Sequence, residues 1–209
     1  MKKIVLALCG VCFMSGIAVA ENEVTPVVYQ ENESYFYGGL GLSYDRVYST
    51  DSGWFDDGIL TQDEVGGLTG ILGYNYNEYL AIEGRLGLSL WSRDYADLTT
   101  WSLFIKPQYY LDRNFKIYGL LGVGNSTVEG YDGDTPAHPN MVGVTIMDET
   151  GFQWGLGMSY DVIGDWTVFI DYTMTADDAG INATLYEYDP VRYDKLSSDA
   201  LTVGMTYRF

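Results

Sequence analysis

From Tyr35 the chain alternates in side-chain character with a period of two. Phe36, Gly38, Leu40, Leu42 and Tyr44 share one parity, and Tyr35, Tyr37, Gly39, Gly41, Ser43 and Asp45 share the other. Only an extended strand places every second side chain on one face, so the pattern predicts β-structure. Seven further segments read alike, giving strands at about 35–45, 65–76, 79–92, 99–111, 115–126, 150–161, 165–175 and 199–209. Each has roughly the 9–11 residues that a tilted strand needs to cross a bilayer, or slightly more. The connections run 19, 2, 6, 3, 23, 3 and 23 residues, so long and short alternate strictly. This rhythm predicts an all-β fold: an eight-stranded antiparallel transmembrane β-barrel with short periplasmic turns and long extracellular loops.

The facing of the strands follows from where charge can go, because a charged side chain on the lipid face at mid-bilayer costs about 2–4 kcal/mol. In the third segment Leu80, Ile82, Gly84, Leu86, Leu88 and Leu90 oppose Glu83, Arg85, Gly87 and Ser89. The leucines are expected to meet lipid. The sixth segment separates Phe152, Trp154, Leu156, Met158 and Tyr160 from Gln153, Gly155, Gly157, Ser159 and Asp161. The last separates Leu201, Val203, Met205, Tyr207 and Phe209 from Thr202, Gly204, Thr206 and Arg208. Small Gly, Ser and Thr on the polar parity suit the crowded lumen of eight strands. Tyr74, Tyr76, Tyr79, Tyr109, Tyr160, Trp166, Tyr207 and Phe209 gather towards the turn side, as an interfacial girdle would. The fifth segment is ambiguous: Tyr118 and Leu120 alternate with Ile117, Gly119 and Leu121.

The N-terminus supports export. Lys2 and Lys3 precede an apolar stretch from Ile4 to Val19, and Ala18-Val19-Ala20 precedes Glu21, so residues 1–20 read as a cleaved signal peptide and 21–209 as the barrel domain. Cys9 and Cys12 would leave with it, removing every thiol-based site. Taking Lys2 and Lys3 from the 11 basic residues leaves 9 against 29 acidic, a balance of −20. Nucleic acid is excluded as a partner. A soluble periplasmic barrel, apolar inside and polar outside, stays as a remote alternative.

The segments FYGGLGLSYD, AIEGRLGLSL, FIKPQYYL, IYGLLGVG and LTVGMTYRF together resemble the opacity-protein and outer membrane protein A-like family of small β-barrel surface proteins, across the whole mature chain. The motifs are loose glycine-aromatic alternations, specific for fold rather than activity. The resemblance implies a bacterial outer-membrane location among lipid and lipopolysaccharide. It also implies that Tyr207 and Phe209 belong to the signal read by the barrel assembly machinery.

Glu83, Arg85, Lys106, Asp171 and Arg208 project inward on these parities, and charges in a narrow lumen must pair or bear a large desolvation cost. A lumenal ion-pair network is expected, either plugging the barrel or gating a narrow pore. Catalysis is not: the one histidine, His138, lies between Ala137 and Pro139 in a long connection, with no nucleophile at a telling spacing. Nor is a cofactor or a resident metal site. Asp51, Asp56, Asp57, Asp63 and Glu64 in the first long connection, and Glu129, Asp132, Asp134, Asp148 and Glu149 in the third, form either a solvated acidic surface or sites for divalent cations. Two functions follow: a structural or surface-interaction barrel serving membrane integrity or adhesion, or a narrow, weakly cation-preferring channel.

Overall fold

The computed structural model describes residues 34–49, 62–92, 96–130, 134–135, 138–139, 143–162, 164–180 and 195–209. The expected signal peptide, Asp51, Asp56, Asp57 and Asp132 lie outside these residues. Eight strands form the barrel: β1 Tyr35–Ser49, β2 Gln62–Asn77, β3 Leu80–Ser92, β4 Ala96–Tyr110, β5 Phe115–Gly130, β6 Thr145–Asp161, β7 Trp166–Gly180 and β8 Lys195–Arg208. Every neighbouring pair is antiparallel, and β1 pairs with both β2 and β8, which closes the sheet. Closure leaves no unpaired edge in the hydrocarbon, where an unsatisfied backbone group costs several kcal/mol. A two-residue ladder pairs Asp134–Thr135 with His138–Pro139 in the β5–β6 connection.

The tight turns are built from residues that supply their own hydrogen bonds or dihedrals. Asn77 Oδ1 accepts from the Tyr79 backbone N–H at 2.9 Å, and Asp112 Oδ1 accepts from that of Arg113 at 2.7 Å. Gly164 takes φ +73° between β6 and β7, where a Cβ would be strained.

Over the turn-side part of the strands the facing follows the expected parity. Leu40, Leu72, Leu86, Leu103, Leu156 and Val203 are exposed on the outside, while Ser43, Thr69, Ser102, Ser159 and Thr202 are buried within. An apolar belt of this kind removes the soluble-barrel alternative. In β5 the outward residues are Ile117, Leu121 and Val123, and Tyr118 and Leu120 are buried in the lumen, which resolves the ambiguous strand.

Towards the loop side the strands differ from expectation. They continue several residues into each end of the connections at 46–64, 127–149 and 176–198, and their polarity reverses. In β4, Trp101 faces out and Ser102 in, but nearer the loop Asp97 lies on the outward parity and Leu98 is buried inside. Val47, Val65, Val128, Met147 and Leu196 are likewise buried. Glu129, Asp148 and Glu149 are exposed. Val47, Ala96, Leu98, Val128, Ile146, Met147, Ala176, Ala179 and Leu196 pack as one apolar cluster. The reversal marks the level where the surrounding solvent changes from lipid to water. Below it the outside is apolar; above it the outside is polar and the inside holds a conventional core. Strands of 13–17 residues exceed the span by about five, and about 3.3 Å per residue at a tilt near 40° lifts the rim about 12 Å above the hydrocarbon.

Candidate functional site: the lumenal ion-pair layer

Below the apolar cluster, four charged side chains from three strands meet in the lumen. Arg85 of β3 donates from Nη1 and Nη2 to Oδ1 and Oδ2 of Asp171 at 2.9 and 2.7 Å, a bidentate pair. Its Nε also donates to Glu83 Oε1 at 2.7 Å. Lys106 of β4 donates to Glu83 Oε2 at 2.7 Å. Two hydroxyls complete the set: Tyr37 donates to Glu83 Oε2 at 2.6 Å and Tyr118 to Asp171 Oδ2 at 2.7 Å. Residue exposures of 1% for Glu83, 6% for Arg85 and 2% for Asp171 put the layer out of bulk water. Two cations face two carboxylates, so it carries no net charge.

In the strand order β3 lies four steps from β7 in either direction, so the Arg85–Asp171 bridge spans the diameter of the barrel. Rings fill the space around it. The Arg85 guanidinium carbon lies 5.7 Å from the centre of the Phe104 ring and 5.9 Å from that of Phe169, and Lys106 Nζ lies 4.1 Å from the centre of Tyr118. Such large side chains fit inside eight strands because glycines face them across the ladder. Gly73 pairs with Tyr37, Gly157 with both Tyr118 and Asp171, and Gly204 with Phe169. A Cβ on Gly73 would sit 2.1 Å from the Tyr37 ring, and one on Gly157 2.5 Å from that of Tyr118.

Arg208 does not join this layer, contrary to the expected network. It lies on the inward parity but at the turn-side mouth, where its Nη2 donates to Asp165 Oδ1 at 2.8 Å and its guanidinium sits 5.0 Å from the centre of the Tyr35 ring. Parity sets the face of a strand but not the height, and Arg208 is the last residue of β8. Lys116 and Asp161 form another ion pair at this mouth, 3.0 Å apart. Tyr207 and Phe209 point outward and belong to an aromatic row with Trp166, their ring centres 5.0 and 5.8 Å apart in sequence along it.

Tyr37 and Tyr118 are the polar partners that sequence reasoning missed. Tyr37 shares the parity of Ser43 and Asp45, the small and charged side of its strand, and a buried phenol needs an acceptor, so the sequence carries that signal. The apolar cluster above the layer carries no such signal, because its residues fall in the connections between the alternating segments.

The outer membrane protein β-barrel domain model matches residues 5–209. The chain belongs to this family. Membership places the protein in the bacterial outer membrane, consistent with its outward apolar belt. Among solved structures it is similar to neisserial surface protein A, at 13% identity and a TM-score of 0.60 over 85% of this chain and 99% of that one. It is also similar to the outer membrane protein AlkL, at 17% identity and a TM-score of 0.55 over 90% and 97% of the two chains. The attachment invasion locus protein Ail of Yersinia pestis aligns at 17% identity and a TM-score of 0.52 over 86% and 99%. At these identities the likeness is one of fold. No curated protein matches the chain by sequence.

Proposed function

We propose that this family member is a closed, non-conducting barrel with a structural and surface-presentation role in the outer membrane. The observation that carries the reading is the filled lumen. Phe104, Tyr118 and Leu120 pack beside the neutral Arg85 layer, and the apolar cluster around Val128 and Met147 lies above it. Moving an ion through this stack requires breaking a buried bidentate pair and wetting an apolar core, both costly. The raised rim supports the second half of the proposal, since about 12 Å of rigid sheet holds the connecting segments clear of the hydrocarbon.

Glu64 and Asp97 lie on the outward parity of this rim, and Glu129, Asp148 and Glu149 are exposed there. That acidity matches cationic surfaces or divalent ions shared with lipopolysaccharide phosphates, the partners we assign to it. Ail has been solved with the heparin analogue sucrose octasulfate, a polyanion that an acidic rim would repel. We further assign outward-facing Tyr207 and Phe209 to recognition by the barrel assembly machinery. Planar-bilayer recording tests the closed lumen. The purified protein should give no reproducible steps; channels whose cation selectivity disappears in Glu83→Gln and Asp171→Asn would establish the pore instead. Thiol labelling of intact cells tests the raised rim: Glu129→Cys should react with a membrane-impermeant maleimide and Tyr76→Cys should not.

A further inference from the structure

The layer of charges around Arg85 is neutral, but one lumenal carboxylate stands outside that balance. Asp45 lies on the inward parity of β1, 8% exposed, with Ser43 on one side and Val47 of the apolar cluster on the other. It pairs with Val65 of β2 and Ala200 of β8. Its neighbour Arg46 is the first polar residue on the outer wall after the exposed Leu42 and Tyr44. Asp45 therefore sits on the water side of the lipid boundary, at the foot of the rim core.

The carboxylate is enclosed by backbone and small side chains. Ser43 Oγ donates to its Oδ2 at 2.7 Å, and a Cβ on Gly67 of β2 would sit 2.8 Å from the same oxygen. Charged groups on the adjoining strands are committed elsewhere. On β2, Asp63 accepts the backbone N–H groups of Glu64 and Ala96, each at 2.8 Å. On β8, Asp199 accepts from the Arg46 guanidinium and the Tyr172 hydroxyl, and adds a like charge beside Asp45. Arg85 and Lys106 are held by Glu83 and Asp171. Among the described residues, no cation pairs with Asp45. A carboxylate so placed is cheaper to keep neutral than ionised. Burial pushes Asp45 up to about 6, against the Ser43 hydrogen bond and with the help of Asp199.

We propose that Asp45 is the seat of one proton that locks the rim core: the neutral carboxyl lets the apolar cluster close over the lumen, and its ionisation loosens that closure. The sign follows from burial. The folded chain holds this proton more tightly than the unfolded one, so the contribution to stability is greatest in acid. It falls as pH rises from about 4 and levels off above the folded value.

Equilibrium unfolding of the full chain in phospholipid vesicles at pH 5 and 7.5, beside Asp45→Asn, tests this. The other carboxylates titrate alike in the two proteins, so the ratio of their folding constants isolates Asp45. Between these pH values the unaltered protein should lose about tenfold relative to Asp45→Asn, whose amide mimics the neutral acid. Ser43→Ala, which removes the donor to the carboxylate, should extend the fall to higher pH. Folding of each variant is read from the heat-dependent gel shift of intact barrels, and the Ser43→Ala profile decides alone if Asp45→Asn does not fold. Parallel profiles of the unaltered protein and Asp45→Asn would overturn the proposal, as would an unmoved Ser43→Ala profile. An unaltered protein that gains on Asp45→Asn as pH rises would overturn it too, by revealing a stabilising carboxylate. Exchange of sodium for a bulky organic cation should leave the difference unchanged; its disappearance would put a metal cation in the place of the proton and refute the lock.

Discussion

Replacing Arg85 by alanine removes a charged group that bridges opposite walls of the barrel. Among the described residues, Asp171 would keep the Tyr118 hydroxyl, and Glu83 would keep Lys106 and Tyr37. At a charge separation near 4 Å and an effective dielectric of about 20, each of the two lost pairs is worth about 4 kcal/mol before the desolvation of the guanidinium is set against it. Measured losses of one partner from a buried pair give a net cost of about 3–5 kcal/mol, because the stranded carboxylate remains out of water. Equilibrium unfolding by guanidinium in phospholipid vesicles, followed by tryptophan emission, reads that difference. The double variant Arg85→Met, Asp171→Leu removes one cation and one anion together and leaves the Glu83–Lys106 pair intact. It should unfold within about 1–2 kcal/mol of the original. A cost under about 1 kcal/mol for Arg85→Ala, or a double variant as unstable as the single one, would refute a stabilising buried bridge.

Other substitutions probe the packing and the change of surrounding medium. Gly73→Ala and Gly157→Ala should each cost about 1–3 kcal/mol in the same unfolding measurement, because their new methyl groups meet the Tyr37 and Tyr118 rings, whereas Gly151→Ala, with nothing within 4 Å, should be neutral. Above the lipid boundary, Val128→Asp should destabilise by about 2 kcal/mol or more by placing a carboxylate in the apolar cluster, and the neighbouring Glu129→Lys should stay within about 0.5 kcal/mol. Below it the order reverses: outward Leu86→Arg should cost about 2–4 kcal/mol on the lipid face. Equal effects above and below would refute the polarity reversal.

The facing of β3, β6 and β8 was legible because one parity in each is bulky and apolar while the other is small or charged. The meeting of Glu83, Arg85, Lys106 and Asp171 was legible for a related reason: charge on the inward parity of a narrow barrel has few places to go. In β5 both parities are bulky, since Tyr118 and Leu120 compete with Ile117 and Leu121. The tie is broken by Gly157 on the adjoining strand, which makes room for a ring, and by Asp171, which accepts its hydroxyl. The ends of the strands were obscured for a different reason. A reader following outward apolar residues loses the strand at Asp97, Glu129 or Asp148, where the outer face becomes wet although the ladder continues through them. Arg208 was misplaced because alternation carries no coordinate along the barrel axis.

The diametric bridge has a consequence for lifetime. Arg85 and Asp171 are 86 positions apart, and β7 can present its carboxylate only after most of the sheet has assembled around the lumen. A contact that forms so late is weak or absent in the transition state of insertion, so its energy falls on the unfolding barrier and leaves the insertion rate little changed. The bridge is in this sense a brake on extraction: cutting it shortens the residence of the protein in the membrane, while newly exported chains enter at their former pace.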